Sequence, residues 1–338
     1  MEFQEKIEKS GMYQKKEKHT SKKTEVRKSM KHVIPQDSTY LPGMKTLMAD
    51  PTDHLNVRYF PDVEYVRRGE KALHLQLLMP AGVAPGELSG DPEQIQSRRC
   101  PWIVYVQGAA WGEQDVYGSL PRLVRMAESG YVVASVKHRA SREAGFPAFL
   151  QDVKSAIRFL RANAAFYHID PDRVAVWGDS SGGHAALMVG VTGDLPEFKT
   201  EDCAEYSDAV NAVLDFYGPT DVTRINDAPR NPVYTADKEN IPEDLLFGGC
   251  VIDHPEIAQP GNPLNYITAE KDLPPILIVH GDWDSMVPFQ QSVLIYKKLM
   301  ECGKTAEFYK VYGAEHGTCL WTPEVLKTAE QFLGIYLS

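Results

Sequence analysis

Two kinds of hydrophobic pattern alternate along the chain from about residue 56 onward. Short continuous apolar runs rich in β-branched residues are typical of strands that are buried on both faces. Longer segments repeat apolar residues every three or four positions, which is typical of helices with one buried face. Phe149, Val153, Ile157 and Leu160 form the clearest stripe of this second kind.

The apolar runs predict eight strands, and the first two are expected to pair antiparallel across the turn RRGE. In chain order, the predicted strands are NVRYFPDVEYV, KALHLQLLMP, PWIVYVQ, YVVASVK, RVAVW, AVLDFYG, ILIVHGD and AEFYKVYG. Helices are predicted between most of the later strands and after the last one. This alternation indicates an α/β fold with a mostly parallel central sheet and helices on both faces.

Two segments fall outside this alternation. Residues 195–272 contain many prolines and acidic residues around one clear strand. Insertions on such sheets often cover the ligand crevice, so residues 222–272 are predicted to form a lid. Residues 1–40 are predicted to be a basic, flexible arm, since the first 32 residues hold ten Lys/Arg and five Glu. The remainder, 41–338, is predicted to be a single domain.

Charge and cysteine content narrow the possible partners. The formal net charge of −10 disfavours nucleic acid and anionic membranes, because the average field of the protein would repel both. The five cysteines show neither the spacing of a zinc site nor a disulfide framework. No apolar run near the N-terminus is long enough for a signal peptide or a membrane span. We expect a cytoplasmic protein that acts on a small molecule or an oligosaccharide, and its oligomeric state stays open.

The segment RVAVWGDSSGGHAA places two serines at the turn between a predicted strand and a predicted helix. A strained turn that exposes a nucleophilic serine needs small residues two positions before and two positions after it. Ser180 has Gly178 and Gly182 at these positions, whereas Ser181 would place Asp179 at the first of them. Ser180 is therefore the predicted nucleophile.

A serine nucleophile needs a base, and the base needs a carboxylate to orient it. In hydrolases with this turn the chain order is serine, acid, histidine. The segment ILIVHGDWDSMVP offers Asp282 and Asp284 as the acid, and VYGAEHGTCLW offers His316 as the base. His184 and His280 are predicted to have structural roles, because they lie within a helix and at the end of a buried strand.

Backbone N–H groups are needed to stabilise the charge that develops on a substrate carbonyl oxygen. The N–H of Ser181, at the start of the helix, is one predicted donor. The loop QGAAWG after the third predicted strand offers the N–H of Ala109, together with that of Gly108.

Three tryptophans lie within a few residues of these motifs. They are Trp111, Trp283 and Trp321. Their rings are candidates to stack on a sugar or an aromatic ring of the substrate, and packing in the core would explain them equally well.

Four segments together resemble the α/β-hydrolase-fold carboxylesterases. These segments are IVYVQGAAW, FLQDVKSAIRFLRANAAFYHIDPDRVAVWGDSSGGHAA, ILIVHGDWDSMVPFQQS and GAEHGTCLW. The sequence is most similar to the bacterial feruloyl/acetyl-xylan esterase branch, BD-FAE, which is related to the hormone-sensitive-lipase esterases. The resemblance extends from about residue 60 to the C-terminus. It implies that Asp284 is the triad acid, four residues after the histidine of the family motif H-G-x-x-D-x-x-V-P, and that Asp282 braces the loop.

The resemblance implies a serine esterase that forms an acyl-enzyme and uses no metal or organic cofactor. The expected substrates are feruloyl or acetyl esters of xylan-type oligosaccharides. An amidase, an arylformamidase or an oligopeptidase on the same fold is the alternative, although no propeller-like repeat precedes the catalytic part. A non-catalytic binding protein is a further alternative, which the presence of His316 disfavours.

Overall fold

The computed structural model describes residues 37–47, 56–85, 99–228, 230 and 240–338. The predicted basic arm over residues 1–40 therefore lies outside the described residues, except for its last four. Within the described ranges, no helix is both long enough and apolar enough to cross a membrane.

The described residues form one sheet of eight strands, in the order β1-β2-β4-β3-β5-β6-β7-β8. The strands are β1 (Val57–Arg68), β2 (Lys71–Pro80), β3 (Cys100–Val106), β4 (Val132–Val136), β5 (Ile169–Asp179), β6 (Ala212–Phe216), β7 (Ile276–Gly281) and β8 (Ala306–Val311). β2 pairs antiparallel with β1 and β4, and all other neighbours pair parallel. The predicted mostly parallel sheet is confirmed, and each predicted strand overlaps an observed one.

Helices cover both faces of the sheet. They are α1 (Leu120–Glu128), α2 (Ala148–Ala162), α3 (Ser181–Val191), α4 (Pro242–Phe247), α5 (Gln290–Glu301) and α6 (Pro323–Tyr336). Buried side chains of α2, α3 and α5 form one core, and those of α1 and α6 form a second. Alternate strand residues face opposite cores, as the strand period of two requires. On β3, for example, Val104 belongs to the first core and Tyr105 to the second.

The loops that carry the predicted chemistry leave the same edge of the sheet. They follow the carboxyl ends of β3, β5, β7 and β8, which run parallel to one another. In open α/β sheets, ligands bind in the crevice outside these strand ends. The topology thus brings four sequence-distant loops to one place.

The segment predicted to be a lid, residues 222–272, contains little regular structure where it is described. It holds α4 and three short 3-10 turns, which span Val222–Arg224, Pro255–Gly261 and Pro263–Tyr266. The segment is tied to the rest of the protein by backbone contacts, such as the hydrogen bond from Phe146 N–H to the carbonyl of Leu246 (2.8 Å). That the segment covers the ligand crevice as a lid stays a prediction.

Candidate active site

Ser180 lies at the tip of the turn between β5 and α3. Its backbone has φ 54° and ψ −127°, a conformation that non-glycine residues rarely adopt. Close packing around the turn leaves no room for side chains on either side. A Cβ on Gly178 would lie 1.9 Å from the carbonyl oxygen of Gly182, and a Cβ on Gly182 would lie 1.9 Å from that of Val106. Both positions therefore require glycine, as the motif predicts.

Ser180, His316 and Asp284 are joined by two hydrogen bonds. His316 Nε2 lies 2.9 Å from Ser180 Oγ, and His316 Nδ1 lies 2.7 Å from Asp284 Oδ2. With Asp284 ionised, Nδ1 carries the ring proton and donates it, so Nε2 accepts from the serine hydroxyl. This is the arrangement that a base needs to activate a serine.

The Asp284 carboxylate is held from several sides. Its Oδ1 accepts hydrogen bonds from the N–H groups of Met286 (2.9 Å) and Val287 (2.8 Å), and its Oδ2 also lies 3.3 Å from His280 Nε2. Burial alone would raise the pKa of Asp284, but hydrogen bonds with His280 and His316 lower the pKa well below the ordinary aspartate value. The carboxylate is therefore charged and fixed in orientation.

Asp282, the other acid that the sequence offers, has a different partner. Its Oδ1 accepts a hydrogen bond from the N–H of Gly313 (2.7 Å), which ties the loop after β7 to the end of β8. His280 braces the same region, with Nδ1 2.7 Å from Ser292 Oγ and Nε2 3.0 Å from the Val287 carbonyl. The geometry thus assigns the contact with His316 to Asp284.

His184 is fully buried below the site. Its Nδ1 accepts a hydrogen bond from the indole N–H of Trp111 (3.1 Å), so Nε2 carries the proton and donates to the carbonyl of Gly261 (2.7 Å). Burial lowers the pKa of His184 to about 4. The ring is therefore a neutral link between the loop after β3, helix α3 and the segment 222–272.

Two of the three predicted oxyanion donors are already engaged. The N–H of Gly108 donates to Asp179 Oδ1 (3.2 Å), and the N–H of Ala109 donates to Ser181 Oγ (2.9 Å). Among the described residues, the N–H groups of Ser181 and Ala110 have no hydrogen-bond acceptor. The side chains of Asp179 and Ser181 thus occupy the N–H groups of Gly108 and Ala109 in this structure, so their role as oxyanion donors stays a prediction. Ala110 offers a further N–H group in the same loop.

The sequence does not predict Ala110 as an oxyanion donor, and the backbone conformation of its loop is unusual. Ala110 and Trp111 have φ values of 50° and 54°, so the backbone bends sharply just after Ala109. A run of small residues before a tryptophan is compatible with such a bend, but only the tertiary structure shows that the Ala110 N–H group has no acceptor among the described residues.

Asp179 is a further residue whose role the sequence does not reveal. Its Oδ1 accepts hydrogen bonds from Tyr105 Oη (2.5 Å) and from the N–H of Gly108, and its Oδ2 accepts one from Tyr217 Oη (3.2 Å). The Tyr217 ring packs against the His316 ring at 4.8 Å. Asp179 therefore positions both the oxyanion loop and a ring beside the base.

Two cavities meet at Ser180. The large cavity has a volume of about 420 Å³, and Arg122, Tyr217, His316 and Trp321 contribute to its wall. The small cavity has a volume of about 60 Å³. Its described wall includes Trp111, Ser181, Pro219, Ile225, Arg230 and Glu243.

The three candidate tryptophans have different surroundings. Trp321 lines the large cavity, and Trp111 lines the small cavity although the residue is only 3% exposed. Trp283 is 66% exposed and lies outside the walls of both cavities. The structure thus places two of the three rings where a substrate could touch them.

Comparison with known proteins places the chain in a family. The sequence profile of the BD-FAE family matches residues 91–299, which is more than half of the chain. The chain belongs to the BD-FAE family. This confirms the resemblance drawn from the motifs, and the BD-FAE match covers the serine turn and the loop of Asp284.

Solved structures and curated relatives agree with membership of the BD-FAE family. A truncated carbohydrate esterase from gut microbiota has a TM-score of 0.69 and 28% identity, covering 85% of this chain and 98% of its own. A bifunctional GH43-CE protein of Bacteroides eggerthii has a TM-score of 0.70 and 27% identity, covering 83% of this chain and 38% of its own. Esterase LipQ of Mycobacterium tuberculosis is 27% identical over 257 residues, covering 72% of this chain and 57% of LipQ. The chain spans about half the length of the curated relatives it matches.

Proposed function

We propose that this BD-FAE protein is a serine carboxylic ester hydrolase. The observation that carries the proposal is the continuous hydrogen-bonded chain Ser180–His316–Asp284, with distances of 2.9 and 2.7 Å. The names of the relatives support the same reaction class, since LipQ is an esterase and the gut protein is a carbohydrate esterase.

The first half of the reaction follows from the geometry. His316 Nε2 takes the proton of the Ser180 hydroxyl while Oγ attacks the ester carbonyl carbon. The Asp284 carboxylate keeps the proton of Nδ1 in place and stabilises the imidazolium ring that forms. His316 then gives its new proton to the leaving alcohol, and the acyl group stays on Ser180.

The second half repeats these steps with water. His316 takes a proton from a water molecule as the water oxygen attacks the acyl carbon, and then returns that proton to Ser180 Oγ as the carboxylic acid leaves. In both halves the oxyanion needs backbone donors. We assign this role to the N–H groups of Ser181 and Ala110, which have no other acceptor among the described residues. Ala109 N–H becomes a further donor if it leaves Ser181 Oγ.

The two cavities favour an assignment of the substrate halves. The small cavity, of about 60 Å³, has room for a few heavy atoms such as those of an acetyl group. The large cavity, of about 420 Å³, falls in the range that holds drug-sized ligands. We place a short acyl group in the small cavity and the alcohol, such as a sugar, in the large cavity.

This placement favours acetyl over feruloyl esters of xylan-type oligosaccharides. A feruloyl group carries an aromatic ring and needs more room than the small cavity, of about 60 Å³, provides.

The test compares the wild type with Ser180→Ala on p-nitrophenyl acetate, p-nitrophenyl butyrate, methyl ferulate and acetylated xylo-oligosaccharides. Loss of the nucleophile is expected to lower kcat/KM by at least about a thousandfold. The acetyl esters are expected to be the best substrates of the wild type. Ser129→Ala, which changes an exposed serine just after α1, is the control for folding and should keep full activity.

A wild type that is inactive on all four esters would refute the proposal, and amide substrates would be tested next. A wild type that prefers methyl ferulate over the acetyl esters would keep the serine mechanism but overturn the assignment of the small cavity to the acyl group.

A further inference from the structure

The wall of the large cavity includes a positively charged side chain that stacks on an aromatic ring. Arg122, on the first turn of α1, lines the cavity together with Ser180 and His316. Its guanidinium carbon lies 4.2 Å from the centre of the Trp321 ring. Cation–π stacking of this kind orients the planar guanidinium group while leaving its N–H groups available.

No described acidic side chain forms an ion pair with Arg122. Its neighbour on the same helix shows the contrast, because Arg125 donates two hydrogen bonds to Glu330, at 3.2 and 2.9 Å. An arginine beside a cavity with unused donors is a ready partner for a planar anion.

Asp179 also lines the large cavity, and its negative charge needs to be considered. Its two oxygens accept hydrogen bonds from two tyrosine hydroxyls and a backbone N–H group. The carboxylate is therefore held by the protein on the side of the oxyanion loop. It neither pairs with Arg122 nor takes up the donors of the guanidinium group.

A chain of contacts fixes where Arg122 lies relative to the triad. Trp321 contacts Arg122 through its ring and donates its indole N–H to Tyr217 Oη (3.0 Å). Tyr217 in turn packs against His316 at 4.8 Å. An anion on Arg122 would thus lie at the Trp321 wall of the cavity that also contains Ser180 and His316, which is where the proposed function places the alcohol half of the substrate.

We propose that Arg122, stacked on Trp321, binds a carboxylate on the alcohol half of the ester substrate. This inference rests on the proposed ester hydrolysis and adds a substrate class, namely short-chain esters of alcohols or phenols that carry a carboxylate. A protein of net charge −10 repels anions on average, so selection of such a substrate needs a local cation.

The test uses two acetyl esters that differ only in charge, 4-acetoxybenzoate and methyl 4-acetoxybenzoate. The wild type is expected to have the lower KM for the carboxylate. Arg122→Gln should raise KM for 4-acetoxybenzoate at least about tenfold more than it raises KM for the methyl ester, because a charge-assisted hydrogen-bonded pair is lost only with the carboxylate. Arg122→Lys should retain part of the preference. Arg125→Gln, which removes a surface charge from the same helix, should leave both values unchanged.

Equal losses on both esters in Arg122→Gln would overturn the proposal and assign Arg122 to packing against Trp321. A wild type that does not prefer the carboxylate would overturn it as well. A thermal unfolding midpoint of Arg122→Gln close to that of the wild type shows that the variant is folded.

A binding measurement distinguishes a failure of this proposal from a failure of the proposed ester hydrolysis. Calorimetric titration of the wild type and of Arg122→Gln with 4-hydroxybenzoate, and with the neutral 4-hydroxybenzamide, requires no catalysis. Selective binding of the carboxylate by the wild type alone would support the site even if ester hydrolysis failed. Absence of selective binding would refute it even if the protein hydrolysed acetyl esters through Ser180.

Discussion

Asp282 and Asp284 lie two positions apart but differ in their neighbours. Asp284 is buried and forms hydrogen bonds with His316 and with two backbone N–H groups. Asp282 instead accepts a hydrogen bond from the Gly313 N–H. The sequence offers both as the triad acid, and only the family motif separates them. The structure separates them by direction, because one carboxylate points to His316 and the other to the end of β8.

Replacing the two acids tests this difference. Asp284→Asn keeps the shape but removes the charge that stabilises the imidazolium ring, and kcat/KM is expected to fall by about 10⁴-fold, as in other triads. Asp282→Asn should lower kcat/KM by less than about tenfold. The measurement is kcat/KM on p-nitrophenyl acetate. Comparable losses in the two variants would contradict the assignment of Asp284.

The turn between β5 and α3 depends on packing against β3. Gly182 meets the carbonyl of Val106, the last residue of β3. A short motif therefore encodes a contact between elements that are far apart in the chain. The sequence signal is strong here because the steric requirement leaves glycine as the only residue that fits.

Two glycine-to-alanine substitutions measure how much stability depends on the absence of a side chain at Gly182. Gly182→Ala would force a Cβ to 1.9 Å from the Val106 carbonyl oxygen, so the free energy of unfolding should fall by about 1–3 kcal/mol or more, with loss of activity. Gly334→Ala, in α6 where nothing lies within 4 Å of the added Cβ, should raise it by about 0.5–1 kcal/mol. Urea unfolding of both variants checks this, and a fully stable, active Gly182→Ala protein would contradict the packing argument.

Stability across the protein is coupled to pH through a buried carboxyl group outside the triad. Asp215 on β6 is fully buried; its Oδ1 accepts the Gly218 N–H (2.9 Å), and its Oδ2 has no hydrogen-bond partner among the described residues. Burial raises the pKa of Asp215 from 3.8 to about 8, against the opposing effect of the Gly218 hydrogen bond. Between these values the folded protein holds a proton that the unfolded chain releases, so this group lowers stability as pH rises from about 4 to about 8.

Protonation of His184 changes stability with pH in the direction opposite to that of Asp215, over the lower part of this pH range. Its pKa falls from 6.5 to about 4 on burial, so the unfolded chain binds the extra proton and stability rises with pH between these values. The two effects oppose each other up to about pH 6.5, and above it the effect of Asp215 remains.

Asp215→Asn isolates the carboxyl group. The free energy of unfolding of the variant relative to the wild type is expected to increase with pH, by at most about 1.4 kcal/mol per pH unit between pH 4 and 8. Urea unfolding of both proteins at several pH values measures this difference. A difference that is constant with pH would show that Asp215 is ionised in the folded protein.

The sequence by itself determined the order and type of the elements, because the spacing of apolar side chains is a local property of each strand and helix. It also predicted Ser180 as the nucleophile and His316 as the base, from the glycines around Ser180 and the position of His316 after the last strand. Both predictions depend on neighbours within a few residues.

Only the tertiary structure decided which backbone N–H groups are left for an oxyanion and what shape the cavities have. Those properties depend on contacts between distant residues, such as Ala109 with Ser181 or Arg122 with Trp321. The relative position of such residues results from the packing of helices on the whole sheet, and no local pattern records it. The acyl and alcohol preferences proposed above therefore rest on the fold rather than on the motifs.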